Sequence, residues 1–254
     1  MKGDSGIEKE IIPFLPSSDK QTPQFLEVKY SIANTQFKKQ LPIFKGGSAK
    51  ELLYFLHEFT SAKSKLGYNS YKKLESGLEQ LLQSTALSAW NTIKGTVEPN
   101  VNTIHTFNLR IEALKRIYIP EPAAIENQKA HLQRAKKNDR LTVPLFLDRL
   151  RQLNLLLPQF PNGSSEDSFT PEELKRIFYF AMPLRWRTNF INSGQSLHKS
   201  SLEVIKTYMI HQEHQTDAHR RKTRDANSKK QSSSSSSRRN PNSNPKGKPS
   251  QGGN

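Results

Sequence analysis

Ten basic side chains crowd the end of this sequence: Arg220, Arg221, Lys222, Arg224, Lys229, Lys230, Arg238, Arg239, Lys246 and Lys248, opposed beyond Gln215 only by Asp217 and Asp225. Residues 216–254 therefore carry +8, half of the chain's formal charge of +16. The chemistry of such a run is electrostatic. Each phosphate it neutralises releases condensed counterion, with a salt slope of about −0.7 per contact on single strands. The tract contains no Phe, Tyr or Trp, so bases find no stacking platform and sequence readout is not expected. A solvated or localising tail is the plainer alternative. The charge makes RNA the expected partner, bound with little sequence preference.

No constellation for acid–base or nucleophilic work stands beside it. Asp4-Ser5-Gly6 has the letters of an aspartic-protease triplet, but that chemistry needs a preceding apolar strand and only three residues come before it. His211, His214 and His219 could gather imidazoles on one helix face, yet no cysteine or carboxylate cluster completes a zinc site. The absence of cysteine from the chain excludes disulfides, thiol nucleophiles and cysteine-ligated zinc. P-loop, GxGxxG, GxSxG and HExxH patterns are missing too. The expectation is a protein that is not an enzyme, with no catalytic residue, metal or cofactor. No apolar run approaches the roughly 20 residues of a membrane span. Met1-Lys2-Gly3-Asp4 offers neither an apolar signal region nor a myristoyl acceptor. A cytoplasmic protein is expected.

The elements that must carry the tract are helices. Residues 1–40 mix Pro13, Pro16 and Pro23 with scattered charges and read as a flexible N-terminal arm, in which Val28, Tyr30 and Ile32 alternate as one short strand at most. From Leu41 the period becomes helical. Ser48 and Glu51 have capping-box spacing, with Leu52, Phe55, Leu56, Phe59 and Ala62 behind them on one face. Further stripes follow: Tyr71 to Leu82, Ala86 to Ile93 with Trp90, and Ile104 to Tyr118 with Phe107. After Pro120 and Pro122 come Ile125, Leu132 and Ala135. Thr142 caps a helix carrying Val143, Phe146, Leu147, Leu150 and Leu153. Thr170, Pro171 and Glu173 open another that ends at Pro183, and Ser200 with Glu203 opens the last.

Nothing predicts a sheet or a repeat. The fold expected is all-α, with a helical lobe over 41–120 and a second over 121–215. The basic tail over 216–254 has almost nothing to bury and reads as disordered. Trp90 reads as a core anchor, with an exposed assembly contact as the other possibility.

With those stripes in place, the chain resembles the Gag capsid region of LTR retrotransposons. The resemblance rests on Leu82 to Trp90 (LQSTALSAW), Thr106-Phe107, Ile117-Tyr118, Leu132-Gln133, and then Val143, Phe146, Arg149, Leu150 and Leu153. Pro42-Ile43-Phe44-Lys45-Gly46 is similar to the F-x-G opening of such capsids, and Phe178 to Pro183 (FYFAMP) to their later aromatic–small–Pro step. The resemblance covers about residues 42–210 and implies a two-lobed capsid-like protein. It further implies that copies self-associate into particles around RNA. Phe44, Trp90 and Phe107, and then Gln133, Val143, Phe146, Leu150 and Leu153, are the implied structural or assembly positions, with Gln133 helping to hold the second lobe together.

Many members of that family carry a cysteine-rich zinc knuckle after the capsid, which this chain lacks. Either the basic tail packages RNA, or a knuckle lies beyond Asn254, or it has been lost. A monomeric or domesticated helical adaptor, or an RNA chaperone, is the alternative of another class.

Overall fold

Capping residues set the helix starts and apolar spacing sets their inner faces. The computed structural model describes residues 11–15, 24–32 and 35–234, and at 31, 32, 35, 37 and 224–234 the backbone alone. Among the described residues a two-stranded sheet, β1 (Phe25–Ile32) and β2 (Thr35–Pro42), precedes nine α-helices. These are α1 (Ala49–Lys63), α2 (Tyr71–Glu79), α3 (Ser84–Thr96), α4 (Ile104–Tyr118), α5 (Ala124–Arg134), α6 (Val143–Leu156), α7 (Pro171–Ala181), α8 (Leu184–Asn192) and α9 (Leu202–Ser234). The architecture is helical. Ser48 with Glu51 and Thr170 with Glu173 form reciprocal capping boxes, each satisfying helix N–H groups that would otherwise lack partners.

The apolar core gathers in two clusters. The first is drawn from Leu41 to Leu114, with Trp90 wholly buried and edge-on to Phe107 at 5.9 Å between ring centroids. The second runs from Ile119 to Met209 and adds Ile12 and Leu53. Helix α1 serves both, since Leu52, Phe55, Leu56 and Phe59 face the first while Leu53 faces the second. A polar clasp joins them as well. Lys115 of α4 pairs with Glu112 at 2.6 Å and donates to the Phe160 carbonyl, and Glu112 accepts the Asn162 N–H at 2.9 Å.

One turn shows why Gly46 is a glycine. Its φ is +99°, and an added Cβ would lie 1.9 Å from Thr85 Oγ1, so both conformation and space exclude a side chain there. Phe44 bonds through its backbone to Leu81 and Gln83, and Thr85 Oγ1 donates to the Lys45 carbonyl. Two of the stretches that carry the capsid resemblance therefore touch.

Several expectations are corrected. The arm over 1–40 is not featureless. β1 and β2 pair antiparallel in the register Val28↔Lys39, and Leu26 and Val28 lie against the first cluster. β2 escapes notice because one face of a two-stranded ribbon is solvated. Lys38 pairs across it with Glu27, and Lys39 pairs with Glu58 of α1. Helix α8 was not anticipated, since Pro183 reads as a stop and only Trp186 and Phe190 mark the inner face of so short a segment. Gln133 does not sit in the core of the second lobe. It is exposed, while Gln128 and Leu132 of the same helix are fully buried, because a step of 100° past Leu132 turns outward.

Buried polar side chains hold the irregular segments. Arg110 is 2% exposed. Its guanidinium donates to the carbonyls of Val97 and Glu98 at 3.1 and 2.8 Å, bonds Tyr71, and lies 3.6 Å from Glu75. Burial and the Glu75 hydrogen bond push the Tyr71 hydroxyl up to about 12. This grip fixes the loop at Glu98, whose φ is +45°, a conformation costly for a residue with a side chain.

Arg110→Ala leaves Glu75 and two carbonyls without that partner and is expected to cost about 3–5 kcal/mol. Gln133→Ala is expected to stay within about 0.5 kcal/mol. Urea unfolding curves of the two variants check both values. The backbone N–H of Thr170 holds the Glu173 carboxyl below its usual range, and that of Ser164 does the same for Asp167. Their contribution is thus full above the ordinary carboxylate range and is lost as pH falls through the depressed folded values. Amide protection factors at the start of α7 are expected to fall in acid before those in α6 do.

Candidate nucleic-acid interface

The basic tract begins on a helix that is bolted to the body along its first half. Ser201 Oγ accepts the Val204 N–H at 3.3 Å and so does the capping expected of Ser200, which is buried and bonded to Gln195. From there Ile205 and Met209 are fully buried in the second cluster, and Tyr208 meets Phe190 edge-on at 5.1 Å. Gln212 accepts from Asn189 Nδ2 at 2.9 Å. Thr216 Oγ1 accepts from the Trp186 indole at 3.1 Å and donates back to the Gln212 carbonyl. These positions recur at three and four residues, so they form one inward stripe.

An ion pair locks the same stretch. Glu213 takes Lys137 at 2.7 Å, with 12% and 5% of the two side chains exposed, and accepts the Val143 N–H at the start of α6 at 2.9 Å. An anion at a helix N-terminus is stabilised by both the orphan N–H and the macrodipole. The Lys137 ammonium also lies 5.6 Å from the Trp186 ring centroid, a cation–π distance. Lys137, Trp186 and Glu213 position the tract, and the sequence marks none of them. They lie far apart along the chain, and no local pattern announces a pair made by folding.

Past Thr216 the inward stripe ends, yet the helix does not. α9 continues to Ser234, where the expectation put the end of ordered helix at Gln215. Extending an anchored helix adds a bond for each residue fixed and avoids the nucleation cost, and Ala218, Arg220, Arg221, Lys222 and Arg224 are adequate helix formers. At about 1.5 Å per residue, the 33 residues make a rod of roughly 50 Å.

Residues 217–223 are exposed, Arg220, Arg221 and Lys222 among them. Arg220 reaches Asp139 at 2.9 Å, and with both side chains largely exposed that contact is weak. Arg224, Lys229 and Lys230 have their backbone on α9. Arg238, Arg239, Lys246 and Lys248 lie outside the described residues, as does Asp4-Ser5-Gly6. His211, His214 and His219 share the helix and are exposed. Among the described residues no group of three or more His, Cys, Asp or Glu could hold a metal ion.

The implied assembly positions divide differently. Phe44, Trp90, Phe107, Val143, Phe146, Leu150 and Leu153 are all buried, so they shape the lobes and are closed to another copy. The exposed apolar side chains are others: Leu184 and Ile191 on α8 are 68% and 60% exposed. Seven residues apart, they share one outer face. Among the described residues no helix is long and apolar enough to cross a membrane. No family model matches the chain, and no curated protein and no solved structure matches it.

Replacing Arg220, Arg221 and Lys222 with Gln is expected to weaken RNA binding uniformly across sequences. The slope of log K against log salt should shrink by about 2, that is, about 0.7 for each of three lost contacts. Anisotropy titrations over a range of salt, on two unrelated oligoribonucleotides, check both statements.

Proposed function

We propose that the chain is a Gag-like structural protein, which self-associates through its helical body and collects RNA electrostatically through residues 216–254. The observation that carries this reading is a concentration of charge, since residues 216–254 carry +8 in 39 residues and residues 1–215 carry +8 in 215. In the body, Lys94, Arg110, Lys115, Lys129, Lys137 and Lys175 all sit within 4 Å of a carboxylate. Beyond Gln215 ten cations face two carboxylates. Paired cations are engaged in the fold, whereas the excess of cations beyond Gln215, with Arg221 and Lys222 exposed on α9, is available to phosphate. The order of the motifs from Phe44 to Pro183 supports the capsid-like half of the reading, and the exposed apolar face of α8 offers a surface for weak contacts between copies. Avidity turns weak repeated contacts into a particle, and bound RNA raises the local concentration that drives them. The protein acts by binding, not by catalysis.

Two truncations and one imaging experiment test this. Removing residues 235–254 should leave far-UV helicity unchanged and weaken RNA binding partly. Removing 216–254 should abolish most binding and also lower the helical signal, because residues up to Ser234 belong to α9. Electron microscopy and light scattering of the full chain with RNA should find large assemblies. Affinity that survives the longer truncation defeats the electrostatic half. A chain that binds RNA yet stays monomeric at high concentration defeats the assembly half and leaves an adaptor or RNA chaperone.

A further inference from the structure

A five-residue piece of the N-terminal arm, Ile11 to Leu15, lies in a slot on the second lobe, and that slot is built to hold a peptide backbone. Ile12 is fully buried. Its N–H donates to Gln128 Oε1 at 2.9 Å and its carbonyl accepts from Gln128 Nε2 at 3.2 Å. The next two carbonyls go to Arg149, Pro13 accepting from Nη2 at 2.7 Å and Phe14 from Nε at 2.9 Å. The Phe14 ring packs on Phe146 with centroids 4.7 Å apart. Gln128 and Arg149 are themselves 0% and 6% exposed. With the segment in place, the buried carboxamide and guanidinium have backbone groups of Ile12, Pro13 and Phe14 as hydrogen-bond partners, and those bonds help offset the cost of taking them out of water. Pro13 suits the slot, because it keeps Ile12 extended before binding and brings no N–H that would need a partner.

All four hydrogen bonds come from side chains on α5 and α6, at least 116 residues along the chain from the segment they hold. The contacts are therefore the same whichever copy supplies the segment. Only the tether distinguishes the two cases. Nine residue steps separate Leu15 from Gln24, a reach of at most roughly 30 Å, and a neighbouring copy within that reach can receive the segment instead.

We infer that the slot accepts Ile11–Leu15 from a second copy of this chain, so that exchange of arms links neighbours in the assembly. This rests on the self-association proposed above. Every copy supplies the same ligand, while a foreign peptide would have to displace a tethered one. In dilute solution the short tether keeps the segment at home, since its effective concentration is on the order of millimolar. Inside an assembly the neighbour's segment is present at comparable concentration, and exchange then costs no contact.

Because the chain has no cysteine, single labels are straightforward. A donor dye is placed at Ser17→Cys in one population and an acceptor at Gln152→Cys, on the outer side of α6, in another, so that any energy transfer runs between copies. Under conditions where light scattering reports assembly, transfer is expected, and Ile12→Asp in the donor chain should abolish its arm-dependent part. If Ile12→Asp fails to fold, Phe14→Ser takes its place in the donor chain. In a companion measurement, a labelled peptide of residues 9–17 should bind the full Ile12→Asp chain, with the same substitution in the peptide weakening binding about tenfold or more. Assemblies whose transfer is indifferent to both arm substitutions overturn the exchange and leave self-association standing. A chain that never assembles overturns both.

Discussion

A polar side chain taken out of water must find a partner, and in this protein the partner is repeatedly the backbone of a segment that is not helical. Arg110 holds the carbonyls of Val97 and Glu98, Asn154 brackets the N–H and carbonyl of Phe169, Gln128 brackets Ile12, and Arg149 takes Pro13 and Phe14. No buried side-chain nitrogen or oxygen among the described residues lacks a partner. Apolar burial supplies most of the driving force, but it has no direction and would tolerate many loop paths. Hydrogen bonds from inside the core select one path. Losing a single donor strands several acceptors at once, so these few residues govern the shape of segments they are nowhere near in sequence.

That constraint also separates what was legible in the sequence from what was not. Helix starts were readable where a cap and a carboxylate lie three residues apart, as at Ser48 and Thr170, because the interaction is local. The stripe Val143, Phe146, Leu150 and Leu153 was readable for the same reason: its spacing states which face turns inward. Gln128 and Gln133 are the same residue type on one helix, and only the position of the neighbouring apolar residues tells them apart. The stripe from Ile125 to Leu132 puts 128 inside and 133 outside, a distinction that the family resemblance obscured. The pairing of Lys137 with Glu213 and the docking of Ile11–Leu15 join stretches about 75 and 115 or more residues apart, and a lone chain offers no signal for such contacts. β2 was hidden by its own lysines, and α8 by its brevity.

The long last helix joins the two halves of the molecule's physics. Its first four turns are ordered by apolar burial and by the Glu213 contact, and its later turns are ordered because the earlier ones already are. A cationic segment held as a rod differs from the same residues in a coil. Its charges keep a fixed spacing along the axis, and their mutual repulsion is not relieved by bending away. Phosphate would relieve that repulsion directly, so on the proposed reading polyanion binding and helicity in this stretch would reinforce one another.

The same reciprocity extends to the body if copies exchange arms. A tethered segment competes with a neighbour's on the basis of concentration alone, because the slot's contacts are identical in both cases. Binding many copies to one RNA raises local concentration without altering a single contact in the slot. The polyanion can therefore shift the balance from closed monomers to linked neighbours while touching only the far end of α9, and by thermodynamic linkage the linked state must in turn hold RNA more tightly. No conformational relay through the lobes is needed. Co-localisation on RNA, as proposed, would be sufficient, and the anchoring of α9 through Glu213, Thr216 and Trp186 would hold the bodies close to such a strand.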